Sequence, residues 1–215
     1  MSASECVAVG STYTGSATET LAEVWNGTVW SVVSSPNVGT SDDELLSVSC
    51  VSVSECVAVG YVDIGNYVLE TLVMVWDGTE WSIMSSPNAG TSDDGLRSVS
   101  CVSVSECVAV GYTNTGSAYE ALVMAWDGMV WSVVTSPNAG TGDDGLESVS
   151  CVSVSDCVAA GSIYTNRYET LVLSLTGPVP PSTTTTIVIP STTTTTVPAS
   201  TTTVVSDQVV PAFTG

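Results

Sequence analysis

Seven cysteines, six tryptophans and 22 carboxylates carry nearly all the chemistry available to this 215-residue chain, which has two arginines, no lysine and no histidine. Without histidine there is no Ser-His-Asp triad, no Cys-His pair and no histidine-ligated zinc. Lacking lysine, it forms no Schiff base, Ser-Lys dyad or P-loop. Carboxylate chemistry of the glycosidase type is what remains. A formal charge of −20 repels phosphate backbones, which excludes nucleic acid as a partner.

The cysteines recur at one spacing. Cys50 and Cys56, Cys101 and Cys107, and Cys151 and Cys157 each stand six apart, the first ending a strand and the second opening the next. Equal parity in a tight antiparallel hairpin sets each pair opposite on one face, which suits a disulfide. Disulfides imply an oxidising, extracellular setting, and buried thiols of a reducing compartment are the other reading. Cys6 aligns with Cys56, Cys107 and Cys157 but stands unpaired, since its partner would fall just before Met1. With no basic start or apolar core in residues 1–20, the chain is expected to be a fragment, the tail of a longer reading frame.

Two further sets repeat. Asp42/Asp43, Asp93/Asp94 and Asp143/Asp144 lie in "GTSDDEL", "GTSDDGL" and "GTGDDGL". One reading makes them Ca²⁺ ligands and the other a solvated turn, and no Asp-x-Asp-x-Asp-Gly loop supports the metal. The tryptophans stand five apart, as Trp25/Trp30, Trp76/Trp81 and Trp126/Trp131, across Asn26-Gly27, Asp77-Gly78 and Asp127-Gly128. A two-residue turn there places Met74 opposite Trp81 and leaves Trp76 and Trp81 diagonal on one face. They read either as packing between sheets or, with Trp126 and Trp131, as an aromatic platform for a sugar.

Stepping through the chain gives a unit of 50–51 residues, with a partial repeat at 1–44, repeats at 45–95 and 96–145, and a partial repeat at 146–177. Each full unit predicts four strands, for example "LLSVSCV", "CVAVGY", "TLVMVW" and "TEWSIMSS", and no helix. In the first strand Leu46, Val48 and Cys50 are expected to share a face. The second and third are apolar at consecutive positions, so both their faces should be buried. Four-stranded antiparallel sheets covered on both sides, at this period, predict an all-β, propeller-like array over 1–177. Cut short at both ends, the array would expose sheet edges through which copies self-associate.

The pattern "SVSCVSVSECVAVG" followed by "VWDGTEWSIMSSPN" resembles secreted propeller-type repeats of actinobacteria, which join an S-C-x5-C-x-A-V-G hairpin to a W-[DN]-G-x-x-W hairpin. The resemblance covers residues 2–177 and implies a secreted β-propeller more than an activity. The sialidase box S-x-D-x-G-x-x-W differs, because here Asp and Gly are adjacent. Residues 178–210 form a Thr/Pro-rich stalk or linker, which would span on the order of 100 Å if extended. Its end, Pro211, Ala212, Phe213, Thr214 and Gly215, resembles a sortase signal of the L-A-x-T-G type, implying covalent attachment to the wall of a Gram-positive bacterium. The expected function is thus a non-catalytic surface propeller, its loops binding a glycan or protein ligand in adhesion. The alternative is a fragment of a secreted carboxylate-dependent hydrolase such as a glycosidase, expected to break the repeat at one place.

Overall fold

The computed structural model describes residues 5–38, 41–136, 142–176 and 184–188. Strands β1 (Cys6–Tyr13), β2 (Thr18–Trp25) and β3 (Trp30–Val33) make a first sheet in the order β1-β2-β3. A second runs β4 (Asp43–Ser52), β5 (Glu55–Asp63), β6 (Leu69–Trp76), β7 (Trp81–Met84). The third is β8 (Ser92–Ser103), β9 (Glu106–Asn114), β10 (Tyr119–Trp126), β11 (Trp131–Val134). The fourth is β12 (Asp144–Ser153), β13 (Asp156–Tyr164), β14 (Tyr168–Thr176) and β15 (Thr184–Val188), the last drawn from the Thr-rich stretch. Every sheet is an antiparallel meander, as local hairpin turns require.

Alternation along the central strands gives each sheet two apolar faces, and packing is always face to back between neighbours. Leu72, Met74, Trp76 and Trp81 of the second sheet bury against Ala22, Val24 and Val33 of the first. Val59 and Val73 on the opposite face meet Leu122, Met124 and Trp131 of the third. Val108, Val123 and Val134 then meet Leu171, Leu173 and Leu175 of the fourth. The strands that carry the first cysteine of each pair, β4, β8 and β12, lie side by side across these interfaces.

The propeller expectation is overturned. Four separate sheets of three or four strands follow one another, neither closed nor curled into a ring. Among the described residues, packing runs between successive sheets and does not join the first to the fourth. The end faces explain the open array. Glu23 stands where the second and third sheets have Met74 and Met124, and Ser174 stands where the third has Ala125. More polar outer faces are the usual cap of a stacked repeat. The resemblance to secreted propeller repeats falls with the ring, and so do the surface propeller and the glycosidase fragment built upon it.

Two local expectations change as well. A bulge skips Leu46 between Leu45 and Ser47 in the β4–β5 register, and the same shift skips Arg97 and Glu147. The extra residue reverses the phase. It is Leu45 that packs inward with Val48 and Cys50, while Leu46 is exposed. Trp81 pairs directly with Trp76 rather than with Met74, because the turn has four residues, Asp77 to Glu80.

Candidate functional site

The cysteine hairpins are the most regular feature. Cys50, Cys101 and Cys151 pair in register with Cys56, Cys107 and Cys157 and are joined to them by disulfides, with Cα atoms 4.0, 4.0 and 4.1 Å apart. Three disulfides mark a chain that folds in an oxidising environment. Cys6 is free and half-buried. It pairs with Trp25 as Cys56 pairs with Trp76 and Cys107 with Trp126, so its place in the sheet is that of a bonded cysteine.

A second regularity joins one sheet to the next. The hydroxyl of Ser47 accepts from Val99 N at 3.2 Å and that of Ser49 from Cys101 N at 2.9 Å. One sheet further on, Ser98 accepts from Val149 N at 3.2 Å and Ser100 from Cys151 N at 3.1 Å. β8 and β12 are edge strands, and these amides face away from their own sheets. An unpaired edge amide beneath a neighbouring sheet is costly, and the serine hydroxyl satisfies it. The alternation in "SVSC" therefore encodes a ladder between sheets. As a sequence pattern it shows only an alternation of apolar residues and serine.

The paired aspartates divide the work. Asp42, Asp93 and Asp143 each cap a strand of the preceding sheet, accepting from Thr18 N at 2.7 Å, Leu69 N at 3.4 Å and Tyr119 N at 3.0 Å. Asp43, Asp94 and Asp144 are buried. Asp43 accepts from Val38 N, and Asp94 accepts from Gly90 N at 3.0 Å and from the Thr113 hydroxyl. Asp43 and Asp94 thereby fasten the loops before them to the second and third sheets. Burial pushes the Asp43 carboxyl above its ordinary value, and the Val38 amide opposes part of that rise. The adjacent carboxylates serve different partners instead of converging, and no group of three or more ligating side chains is found among the described residues.

Two of the tryptophan pairs sit between sheets, while Trp25 and Trp30 lie on the outer face of the first. Trp76–Trp81 and Trp126–Trp131 have ring centroids 5.6 and 5.8 Å apart, and the Trp76 and Trp126 indoles donate to Val53 O and Val104 O at 3.1 Å. Trp76, Trp81 and Trp131 are 7%, 5% and 5% exposed, and Trp126 is partly buried. The adjoining Asp77 uses Oδ1 to accept from Thr79 N, the Thr79 hydroxyl and Glu80 N. Those donors hold its carboxyl below the usual range. A cavity of about 360 Å³ lies beside this turn, between the first two disulfides, lined by Ser49, Cys56, Trp76, Asp77, Cys101 and Val104 among others.

Sequence reasoning passed over two sets of residues. Asn37 and Asn88, in the "SPN" segments, accept from Thr20 N at 2.8 Å and Thr71 N at 2.9 Å, folding each segment back on its sheet. Arg97 occupies the bulge of β8 and lies 5.0 Å over the Tyr112 ring, which in turn contacts Tyr119 edge-on at 5.6 Å. Tyr61 nearby is pushed up to about 12 by burial and by its hydrogen bond to Glu44. The available signal was a break in the repeat, since the position of Arg97 is Leu46 in one unit and Glu147 in another. Pro211 to Gly215 lie outside the described residues.

Comparison with protein-family models and with curated proteins finds no match for this chain. The resemblance noted for residues 2–177 thus gains no family from either search.

Proposed function

We propose that this chain is a structural module: an open stack of disulfide-stapled β-sheets whose work is to be rigid and extendable, with no catalysis of its own. The observation that carries this is the recurrence of the same inter-sheet contacts. Ser-to-amide rungs, aspartate caps and tryptophan pairs repeat from sheet to sheet. A reaction centre needs convergent groups at one place, and the strongest departure from the repeat, Arg97, is engaged by a tyrosine ring. The finer address belongs to the same proposal: an extracellular protein joined covalently to a Gram-positive wall. Its support is the Thr/Pro-rich stretch and the residues Pro211 to Gly215.

Two measurements test it. Limited proteolysis of the oxidised chain is expected to leave 5–176 as a resistant unit that becomes sensitive after reduction; equal resistance of the reduced form would sink the staple role. Fractionation of the native cells should find the protein in the wall fraction, released by wall-lytic enzyme and not by detergent.

A further inference from the structure

We propose that the cavity between the second and third sheets binds an organic cation, a primary amine carried on an apolar aryl or alkyl body. The inference goes beyond the module reading and does not rest on it, since a rigid stack needs no ligand.

The cavity measures about 360 Å³ and is built from both sheets. An apolar void of about 150 Å³ already takes a benzene ring, so this one has room for a ring and a short tether. Val57, Val75 and Trp76 line it from the second sheet and Val104 from the third. Cys56 and Cys107, both disulfide-bonded, add polarisable sulfur, which packs favourably against aromatic rings. The Trp76 indole N–H is already donated to Val53 O at 3.1 Å, so what that side chain offers an occupant is ring surface. Water finds few partners against such a lining, and hydrocarbon displaces it favourably.

The charge comes from two exposed residues of the same lining, Glu55 and Asp77. Asp77 takes its three turn donors, Thr79 N, the Thr79 hydroxyl and Glu80 N, on Oδ1. Its other oxygen, Oδ2, receives none of them. No lysine or arginine stands among the residues lining the cavity to neutralise the pair. A hydrated divalent cation needs six or more oxygens, and the hydrocarbon wall supplies none. An acid meets two carboxylates of its own sign. An amine suits both parts of the site: the ammonium pairs with the carboxylates at the exposed side, and its body fills the apolar part.

The test is calorimetric titration of the full oxidised chain with phenylbutylamine, phenylbutanol and phenylbutyrate, which share one body and differ in charge. Salt at about 0.15 M screens the long-range pull of the charge of −20. The expected result is one amine per chain, bound at least about tenfold more tightly than the alcohol, with no uptake of the acid. Asp77→Asn keeps the bonds of the turn, as Asn26 does in the first sheet, and should bring the amine down to the level of the alcohol. Asp127→Asn removes the same charge from the matching turn of the third sheet, outside this lining, and should leave the amine bound as in the parent. Val104→Lys, at a position 58% exposed, brings a tethered ammonium to the cavity and should abolish uptake of the amine while keeping the thermal midpoint. An amine held no more tightly than the alcohol overturns the proposal, because the carboxylates then select no charge. Several amines per chain, weakened alike by Asp77→Asn and Asp127→Asn, overturn it as well, because the attraction is then to the net charge and not to the cavity.

Discussion

Asp43 is a carboxylate held out of water by the sheet it helps to assemble. Burial raises its pKa from 3.8, so the folded state binds the proton more tightly than the unfolded one. The stability linked to that proton is fully present below 3.8 and is lost as pH rises through the raised folded value. Chemical denaturation between pH 4 and pH 8 should therefore show the midpoint falling as pH rises, in the same direction as the self-repulsion that grows as the chain approaches its charge of −20. Asp43→Asn separates the two: its midpoint should fall less steeply over the same range, and an unchanged slope would assign the whole effect to net charge. Asp77 works with the opposite sign, since its carboxyl is held low by the donors of its own turn. Its contribution is present above the ordinary carboxylate value and fades only on strong acidification. Asn26 makes the same bonds, to Thr28 N, the Thr28 hydroxyl and Val29 N, without a charge. Asp77→Asn should therefore leave the thermal midpoint where it is, whereas Asp77→Ala should lower it.

At the scale of the strand, the serine ladder makes a differential prediction. Ser100→Ala leaves the Cys151 amide unmet at an interface and should cost about 1–2 kcal/mol in a denaturation experiment. Ser150→Ala, on the outer strand of the last sheet where the serine is exposed, should cost almost nothing. Equal losses would show that the serines matter for their own strand and not for the rung. Each short disulfide loop is worth about 2 kcal/mol by chain entropy, so reduction should lower the midpoint well beyond any single serine change. The hairpins, the disulfide partners and the period of the unit were all legible in the sequence, because parity and spacing decide them. Leu46 was misplaced because a bulge adds a residue that no alternation announces. Trp81 shifted partner because Asp77 closes a four-residue turn with its side chain, where Asp-Gly by itself reads as a two-residue one. The rungs of Ser47 and Ser49 were not legible, because a hydroxyl that meets water and one that meets a neighbouring amide look alike in a sequence.

Closure is a property of the whole molecule, and the repeat period alone does not supply it. The sequence separates a ring from an open stack only through the faces of its first and last sheets, where Glu23 takes the place of Met74 and Met124, and Ser174 that of Ala125. Those faces otherwise retain the apolar set, with Leu21, Trp25 and Trp30 at one end and Val158 and Val172 at the other. They are complementary in the sense already used three times inside the stack, front against back. Contact between the ends of two copies would be heterologous, and it would propagate instead of closing. Glu23 opposes it by carrying a carboxylate into the centre of the would-be interface, at a position opposite Ala8 and Val32. Glu23→Met restores the residue of the internal sheets and should make the sedimentation coefficient climb more steeply with concentration than the parent's. Val158→Glu on the other end should cancel that gain if the two faces are partners. Should Glu23→Met sediment as the parent at every concentration, the carboxylate on the outer face of the first sheet is not what opposes contact between copies.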